Sequence, residues 1–406
     1  MHILLIHQAF AALDEPGGTR HHEIARYLVR RGHTLTIITS PVSYLTGKTK
    51  GNSNPWKTIE RSEEGITILR AYTYPAIHRS FFHRVLSFLS FMFSSFVIGL
   101  GVRNVAVVWG TSPPIFQGWT AWLLARLKRV PFLFEVRDLW PAFAIAVGVL
   151  KNKTLIRLSL GLEKFLYQHA DELVVNSPGF IDHVSRNGAK NVTLVENGVD
   201  LAMFCPDEKG AGFRAKHALE GKFVVLYAGA HGISNDLPVV LEAATLTLED
   251  PQIVFVLVGD GKEKESLEAL VREKGLMNVK FIAPVPKKDM NQVLSAADVC
   301  LAILKPIEMY KTTYPNKVFD YMAAGKPVLL MIDGVIREVV EKAGAGIFIQ
   351  PGDAKELADG ARTLKMNPEQ AQKMGEMGRK YAEMNFDREK LAEKIEKIFS
   401  RMARIS

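Results

Sequence analysis

The sequence predicts an α/β protein built as two halves, each with a parallel sheet, and three observations predict it. Short apolar runs such as HILLI, VPFLFEV and IVFVLVG alternate with stretches of helical apolar spacing, the rhythm of βαβ units. That rhythm lapses once, in NGVDLAMFCPDEKG at residues 197–210, and restarts with KFVVLYAG. After Pro368 it gives way to helix alone. The boundary is placed at Pro206, with an N-terminal domain over residues 1–205, a second domain over 206–385 and a terminal helix over 386–406.

Each element has a local reason. HILLIHQA at residues 2–9 reads as the first strand, and Thr19 is the expected N-cap of a helix running to Arg31. Gly32 ends that helix before the strand HTLTIIT. Gly17 and Gly18 precede the helix, at a place where a backbone can approach a phosphate or sugar with no side chain in the way, though a plain flexible turn would look the same. The pattern is not G-x-G-x-x-G, so no dinucleotide fingerprint is present. Residues 41–65 are polar and rich in Gly, Ser, Asn and Pro, which predicts a mobile loop. GITILRAY, NVAVVWG and VPFLFEV are further strands. The last delivers Arg137 and Asp138 to its carboxyl end, where open α/β sheets place ligands. An Arg–Asp pair that merely closes a loop would look the same.

FFHRVLSFLSFMFSSFVIGLGVR, residues 81–103, is the most apolar stretch. Its uninterrupted part, Val85 to Leu100, is 16 residues, short of the roughly 20 that span a bilayer. Ser87, Ser90 and Ser94 recur at helical spacing, and Arg79, Arg84 and Arg103 flank the ends. Three readings stay open: a buried core helix, a helix lying in an anionic membrane interface over residues 79–103, or a span.

In the second half, three loops follow strands: GAHGISND at 229–236 with Gly229, His231 and Gly232, VGDGKE at 258–263, and FIAPVP at 281–286 with Phe281 and Pro284. Each alone is an ordinary βα loop; all are expected on one edge of one sheet. TTYPNKVFDYMAAGKPVLL, residues 312–330, completes them. Pro315 suits the first helical position, Gly325 a left-handed stop, and PVLLMI a buried strand. Asn316 and Asp320 share one face, and Lys317 lies in the first turn, where the helix dipole favours an anion.

Composition narrows the classes. The formal charge of +8 suits anionic partners. The Lys and Arg residues are scattered rather than striped and no nucleic-acid module is evident, so nucleic acid is not an expected partner. Cys205 and Cys300 make neither a disulfide framework nor a zinc site, which points to a reducing compartment. No signal peptide is read at Met1-His2, no D-x-D is present to hold a metal-bound diphosphate, and no G-x-S-x-G or H-E-x-x-H appears.

The order GG loop, PFLFEVRDLWP, ADELVVNSPG, ENGVDLAMF, YAGAHG, VGDG and PNKVFDYMAAGKPV resembles the bacterial family 4 glycosyltransferases, in particular the WbuB-like and WcaI-like branch of surface-polysaccharide enzymes. The resemblance spans nearly the whole chain. It implies a GT-B architecture: two Rossmann-like parallel-sheet domains with an interdomain cleft, and a C-terminal helix crossing back to the N-terminal domain. It implies transfer of a sugar from a nucleotide diphosphate sugar, by resemblance a UDP-sugar, with retention and with no metal or other cofactor. The implied acceptor is a polyprenyl-diphosphate-linked saccharide of O-antigen, capsule or exopolysaccharide assembly. The enzyme would work as a peripheral protein on the inner face of the cytoplasmic membrane.

By the same resemblance Gly17 and Gly18 lie near the donor diphosphate, and Arg137 stands where many relatives have His, with Asp138 after it. Gly229 and Gly232 match the first donor loop, with His231 standing where many relatives have a phosphate-gripping cation, and Asn316 and Lys317 lie beside the phosphates; the mechanism expected from these positions rests the base against the backbone near Phe281 to Pro284. Asp320 matches the ribose-contacting second acid of E-x7-E, while the first acid falls on Thr312, with Glu308 four residues early. Arg137, Asp138 and Lys317 are the expected catalytic residues. A nucleotide-sugar 2-epimerase on the same fold and a non-catalytic nucleotide-sugar-binding protein are the rival readings.

Overall fold

The computed structural model describes residues 1–43, 47–50, 54–75, 79–206, 208 and 210–405, with the side chains of Phe81 and Ile405 left out. The described residues form two compact units. The first comprises Met1–Ala12, Gly18–Glu196 and Glu389–Ser406; the second comprises Leu13–Gly17 and Asn197–Arg388.

The first unit holds β1 (His2–Ile6), β2 (Thr34–Thr39), β3 (Lys57–Arg61), β4 (Thr67–Ala71), β5 (Val107–Ser112), β6 (Phe132–Val136), β7 (Glu172–Val175) and β8 (Val192–Leu194). Their order in the sheet is β3-β4-β2-β1-β5-β6-β7-β8. All neighbours are parallel except β3 and β4. The antiparallel β3 corrects the expectation of a loop over 41–65. An edge strand needs only one partner's backbone and can carry polar side chains, so KTIER has no apolar signature to read. The parts of that stretch at 44–46 and 51–53 lie outside the described residues.

The Arg20–Arg30 helix begins after Thr19, whose hydroxyl donates to Glu23 Oε1 at 2.6 Å rather than capping a backbone N–H. The terminal helix, Arg388–Ile405, buries Leu391, Ile395, Ile398 and Phe399 in the core that also takes Ile3, Leu5, Ile24, Leu28 and Trp109. That apolar stripe recurs every three or four residues, and it explains why the last segment belongs to the first unit.

The second unit holds β9 (Phe223–Ala228), β10 (Ile253–Val258), β11 (Val279–Ile282), β12 (Val299–Ile303), β13 (Val328–Met331) and β14 (Gly346–Phe348). The order is β11-β10-β9-β12-β13-β14 and every pair is parallel. Strand order reverses between β9 and β12, which makes their carboxyl ends the switch point of the sheet.

The change of unit falls after Glu196, nine residues before the expected Pro206 boundary. The turn-rich stretch is already held by the second unit: Asn197 Nδ2 donates to the Tyr314 carbonyl, and Val199 exchanges backbone bonds with Phe386 and Arg388. Turn residues mark where the rhythm stops, not which core collects them. Pro315 likewise stands one place outside its expected position. Its ψ of 122° is extended, so it is the N-cap, and the helix is Asn316–Ala323. Gly325, with φ +67°, ends that helix as its position predicts.

Candidate functional site

In the first unit, charged and polar side chains gather at the carboxyl ends of β1, β5 and β6. Glu135 is the one carboxylate in the apolar run FLFEV and is fully buried. Arg20 Nε donates to its Oε1 at 2.8 Å, and His21 Nε2 to its Oε2 at 2.6 Å. Burial alone would raise this carboxyl, but Arg20 and His21 overcome it and hold Glu135 far below the usual carboxylate range. Burial lowers His21 to about 4 despite Glu135, so the imidazole is a neutral donor. Arg20 also donates to the carbonyls of Glu196 and Val195.

Arg137 is committed to its own unit. Its Nε donates to Thr111 Oγ1 at 3.1 Å and to the Ser112 carbonyl at 3.2 Å, and its Nη2 to His7 Nε2 at 2.9 Å. The guanidinium thus reaches into the chain, toward β5 and the end of β1. Asp138 is half-buried. Burial raises it to about 6, against the pull of Arg137, which places it in the range of a general base.

Gly17 and Gly18 are both exposed. A Cβ at Gly18 would meet nothing within 4 Å. Local packing therefore does not require glycine at position 18, whereas Gly17, with φ +145°, holds a backbone conformation that favours it.

The second unit assembles four loops at its switch point. Lys305 N donates to the Ser234 carbonyl and the Tyr310 hydroxyl to Ser234 Oγ, binding the loops after β9 and β12 together. The loops after β9 and β10 touch backbone to backbone. A Cβ at Gly259 would stand 1.9 Å from the Gly229 carbonyl oxygen, so glycine is obligatory. Gly232 has φ −116°, and a Cβ there would make only an ordinary contact, 3.7 Å from Asn235 Nδ2, so its place in the loop does not depend on being glycine.

Lys317 reaches into this assembly. Its ammonium nitrogen is out of solvent, has no hydrogen-bond partner among the described residues and sits 3.9 Å from the centre of the Tyr227 ring. Burial lowers it to about 7. His231 is fully buried, and among the described residues neither ring nitrogen has a hydrogen-bond partner. Burial lowers it to about 4, with Lys264 adding to the effect and Asp260 opposing it. The ring of Phe281 meets His231 edge-on at 5.9 Å. A buried ammonium and a buried imidazole without partners are costly unless something oxygen-rich supplies acceptors.

The other expected residues are already engaged. Asp320 Oδ2 accepts from Lys287 Nζ at 2.5 Å, and Asn316 Oδ1 accepts from Arg388 Nη2 at 3.0 Å. Thr312, at the place of the first acid, donates its hydroxyl to the Met309 carbonyl, and the exposed Glu308 pairs with Lys311. Pro284 lies two residues past β11, partly exposed, while the Ile282 carbonyl before it is taken by Gly259 N. Sequence reading did not single out Tyr227, Lys287, His7, His21 or Glu135. Only Glu135 carried a visible signal, a charge inside an apolar strand.

Two parallel-sheet units of this topology, with polar groups at the carboxyl ends of their strands, agree with the family comparison. Residues 17–198 match the family described as "Glycosyl transferase 4-like domain" and residues 211–381 the one described as "Glycosyl transferases group 1". The chain belongs to the bacterial family 4 glycosyltransferases, of the WcaI-like type, and has the GT-B fold.

Among curated relatives, glycosyl transferase WcaI of Escherichia coli (strain K12), which its name assigns to colanic acid biosynthesis, is 24% identical over 90% of this chain and 92% of its own. Among solved structures, sucrose-phosphate synthase from Thermosynechococcus elongatus superposes with a TM-score of 0.81 at 20% identity, covering 100% of both chains. HepE of Anabaena in complex with UDP and glucose gives 0.74 at 16%, covering 98% of this chain and 99% of its own.

Proposed function

We propose that this glycosyltransferase moves a sugar from a nucleotide diphosphate sugar, with UDP as carrier, onto a polyprenyl-diphosphate-linked saccharide at the inner face of the cytoplasmic membrane, with retention and without a metal. The observation that carries the donor half is the convergence of the unpartnered Lys317 ammonium and His231 imidazole beside Gly229 at the switch point of the second sheet. A diphosphate supplies the acceptors those groups lack. The UDP in the HepE structure supports the choice of carrier, and WcaI supports a surface-polysaccharide product.

In this reading the diphosphate lies by the N-terminus of the Asn316–Ala323 helix, with Lys317 and Asn316 at its oxygens. Asp320, held by Lys287, receives the ribose hydroxyls, and the base rests against Phe281 to Pro284. The acceptor hydroxyl oxygen bonds to the anomeric carbon as the bond from that carbon to the diphosphate oxygen breaks. The hydroxyl proton passes to the departing diphosphate, and Lys317 balances the negative charge that grows there. Asp138 orients the acceptor, and Arg137 holds the strand end that carries Asp138.

The membrane half rests on the Phe81–Leu100 helix. Its serine face is turned inward: Ser94 Oγ donates to the Tyr72 carbonyl and Ser90 Oγ accepts from Tyr74 N. Phe82, Leu89, Phe93, Val97 and Leu100 are exposed along the other side. The helix packs beside Phe116–Lys128, which in turn packs on Lys153–His169, where Trp119 and Leu158 are exposed as well. Residues 79–170 contain eleven Lys and Arg against three Asp and Glu, a surplus equal to the charge of the whole chain. Of those three acids, Glu135 and Glu163 are fully buried. An apolar helix face rimmed by cations fits an anionic lipid surface. A helix bonded to its own domain along one side is better suited to lie in the interface than to span it.

The test is a panel of nucleotide sugars offered to purified protein with a lipid-diphosphate-linked sugar, scored for released nucleotide and product mass. Sugar-extended lipid with released UDP is expected. Conversion of the nucleotide sugar with no change in the lipid would overturn the reading in favour of an epimerase, and binding without turnover in favour of a binding protein.

A further inference from the structure

Lys317 poses a physical question that the donor reading leaves open. A desolvated ammonium with no counter-charge tends to lose its proton, and a long flexible side chain tends to wander. Here neither tendency is left unopposed. The face of Tyr227 lies 3.9 Å from Nζ and attracts the charged form. Tyr227 is itself immobile, being fully buried with its hydroxyl donating to the Ala230 carbonyl at 2.8 Å. Gly229 leaves the ammonium its room, since a Cβ there would stand 2.7 Å from Nζ and 3.0 Å from the Tyr227 hydroxyl oxygen.

We propose that Tyr227 is the positioning residue of the anion site: its ring holds the Lys317 side-chain nitrogen beside Gly229, from where that nitrogen, as the ammonium, passes to a phosphate oxygen of a bound nucleoside diphosphate. This rests on the donor-site reading above. A ring face attracts a cation less strongly than an ionised phosphate does, so the transfer is downhill.

The titratable and charged groups around Lys317 agree in direction. Tyr227 lies on β9, His231 in the loop after it, and Asp260 and Lys264 beyond His231 after β10. Asp320 lies one turn along the same helix and is paired with Lys287. Burial keeps His231 neutral above about 4, so it adds no competing charge near neutrality. With Lys317 lowered to about 7, most of it is neutral at pH 8. An anion that restores its charge must then draw a proton from solution.

The experiment is calorimetry of UDP binding at pH 8 in buffers of different ionisation enthalpy, where UDP itself is fully ionised. The wild-type protein is expected to take up nearly one proton per UDP, and Lys317→Met none. Tyr227→Phe, which keeps the ring, is expected to bind UDP within about threefold of wild type and retain the uptake. Tyr227→Leu is expected to bind at least about tenfold more weakly, with the pH above which affinity falls moved to a lower value.

UDP binding without proton uptake in the wild type overturns this proposal alone, and so does Tyr227→Phe as weakened as Tyr227→Leu. Absence of UDP binding overturns the donor reading with it. If Tyr227→Leu fails to fold, the wild-type uptake and the Tyr227→Phe result still decide.

Discussion

Arg137 Nη2 donates to His7 Nε2 across 2.9 Å, and that single contact dictates the state of the histidine. A guanidinium has no lone pair to offer, so Nε2 must present its own and the ring hydrogen sits on Nδ1. Burial, the charge of Arg137 and then His21 all lower His7 well below 6.5, so the ring stays neutral. Arg137→Ala strips a partner from His7, Thr111 and Ser112 at once. It is expected to destabilise the protein by about 2–4 kcal/mol, measured by urea unfolding. A loss under about 0.5 kcal/mol would mean these bonds exchange freely with water.

Asp138 gives the acid side of the pH profile. Raised to about 6, it is protonated below that value and unable to accept from an acceptor hydroxyl. kcat/KM is therefore expected to rise with pH through about 6 and then level. Asp138→Asn removes the charge that orients the acceptor, so it is expected to lower kcat/KM at least about tenfold and erase that limb. An unchanged limb in the variant assigns it to another group.

Lys317→Met separates function from stability. At least a tenfold loss in kcat/KM is expected, about 1.4 kcal/mol or more of transition-state stabilisation. The fold should gain from the same change, because a buried ammonium without a partner is removed. The sign follows from proton counting. Lys317 holds its proton to 10.5 when unfolded and only to about 7 when folded, so wild-type stability rises with pH between those values. Thermal melts at pH 7 and 9 should show that rise in the wild type and a smaller one in Lys317→Met.

His231 acts on the acid side by the same rule. The unfolded chain protonates it near 6.5 and the folded protein near 4, so stability is lost as pH falls from 6.5 to 4. The loss is on the order of 3 kcal/mol. His231→Gln should be less sensitive than wild type when urea midpoints at pH 6.5 and 4.5 are compared. Equal sensitivity would show that another group takes the protons.

The exposed helix face makes a separate prediction. Phe93→Asp places a carboxylate in the middle of the apolar side, and Arg79→Glu with Arg84→Glu reverses the charge at one end. Both are expected to reduce co-flotation with vesicles containing anionic lipid by at least about tenfold, with nucleotide binding in solution unchanged. Flotation equal to wild type in both variants would remove this face from the membrane reading.

Much of the architecture was legible because apolar period is local. HILLI, FLFEV and IVFVLV are strands wherever they pack, and Gly325 stops a helix by its own backbone freedom. The edge strand Lys57–Arg61 was not legible, since its place depends on a partner rather than on its own side chains. In the candidate site, Lys317, His231 and Asp138 could be marked from their positions in loops and at helix ends. Tyr227 could not, because a tyrosine in an apolar strand looks like core until a lysine from another element lies on its ring.

By itself the sequence determined two α/β halves, the family, and the loops that carry polar groups to strand ends, because these depend on residues near one another in the chain. Only the tertiary structure decided which charges are spent and which are held ready. The charged Arg137 and Asp320 are engaged by His7 and Lys287, residues 130 and 33 positions away, and the amide of Asn316 by Arg388, 72 away, whereas among the described residues the buried Lys317 ammonium meets a ring face and no hydrogen-bond partner. The physical reason is that a side chain's partner is a matter of distance in space, and for groups this far apart in sequence no local pattern encodes it.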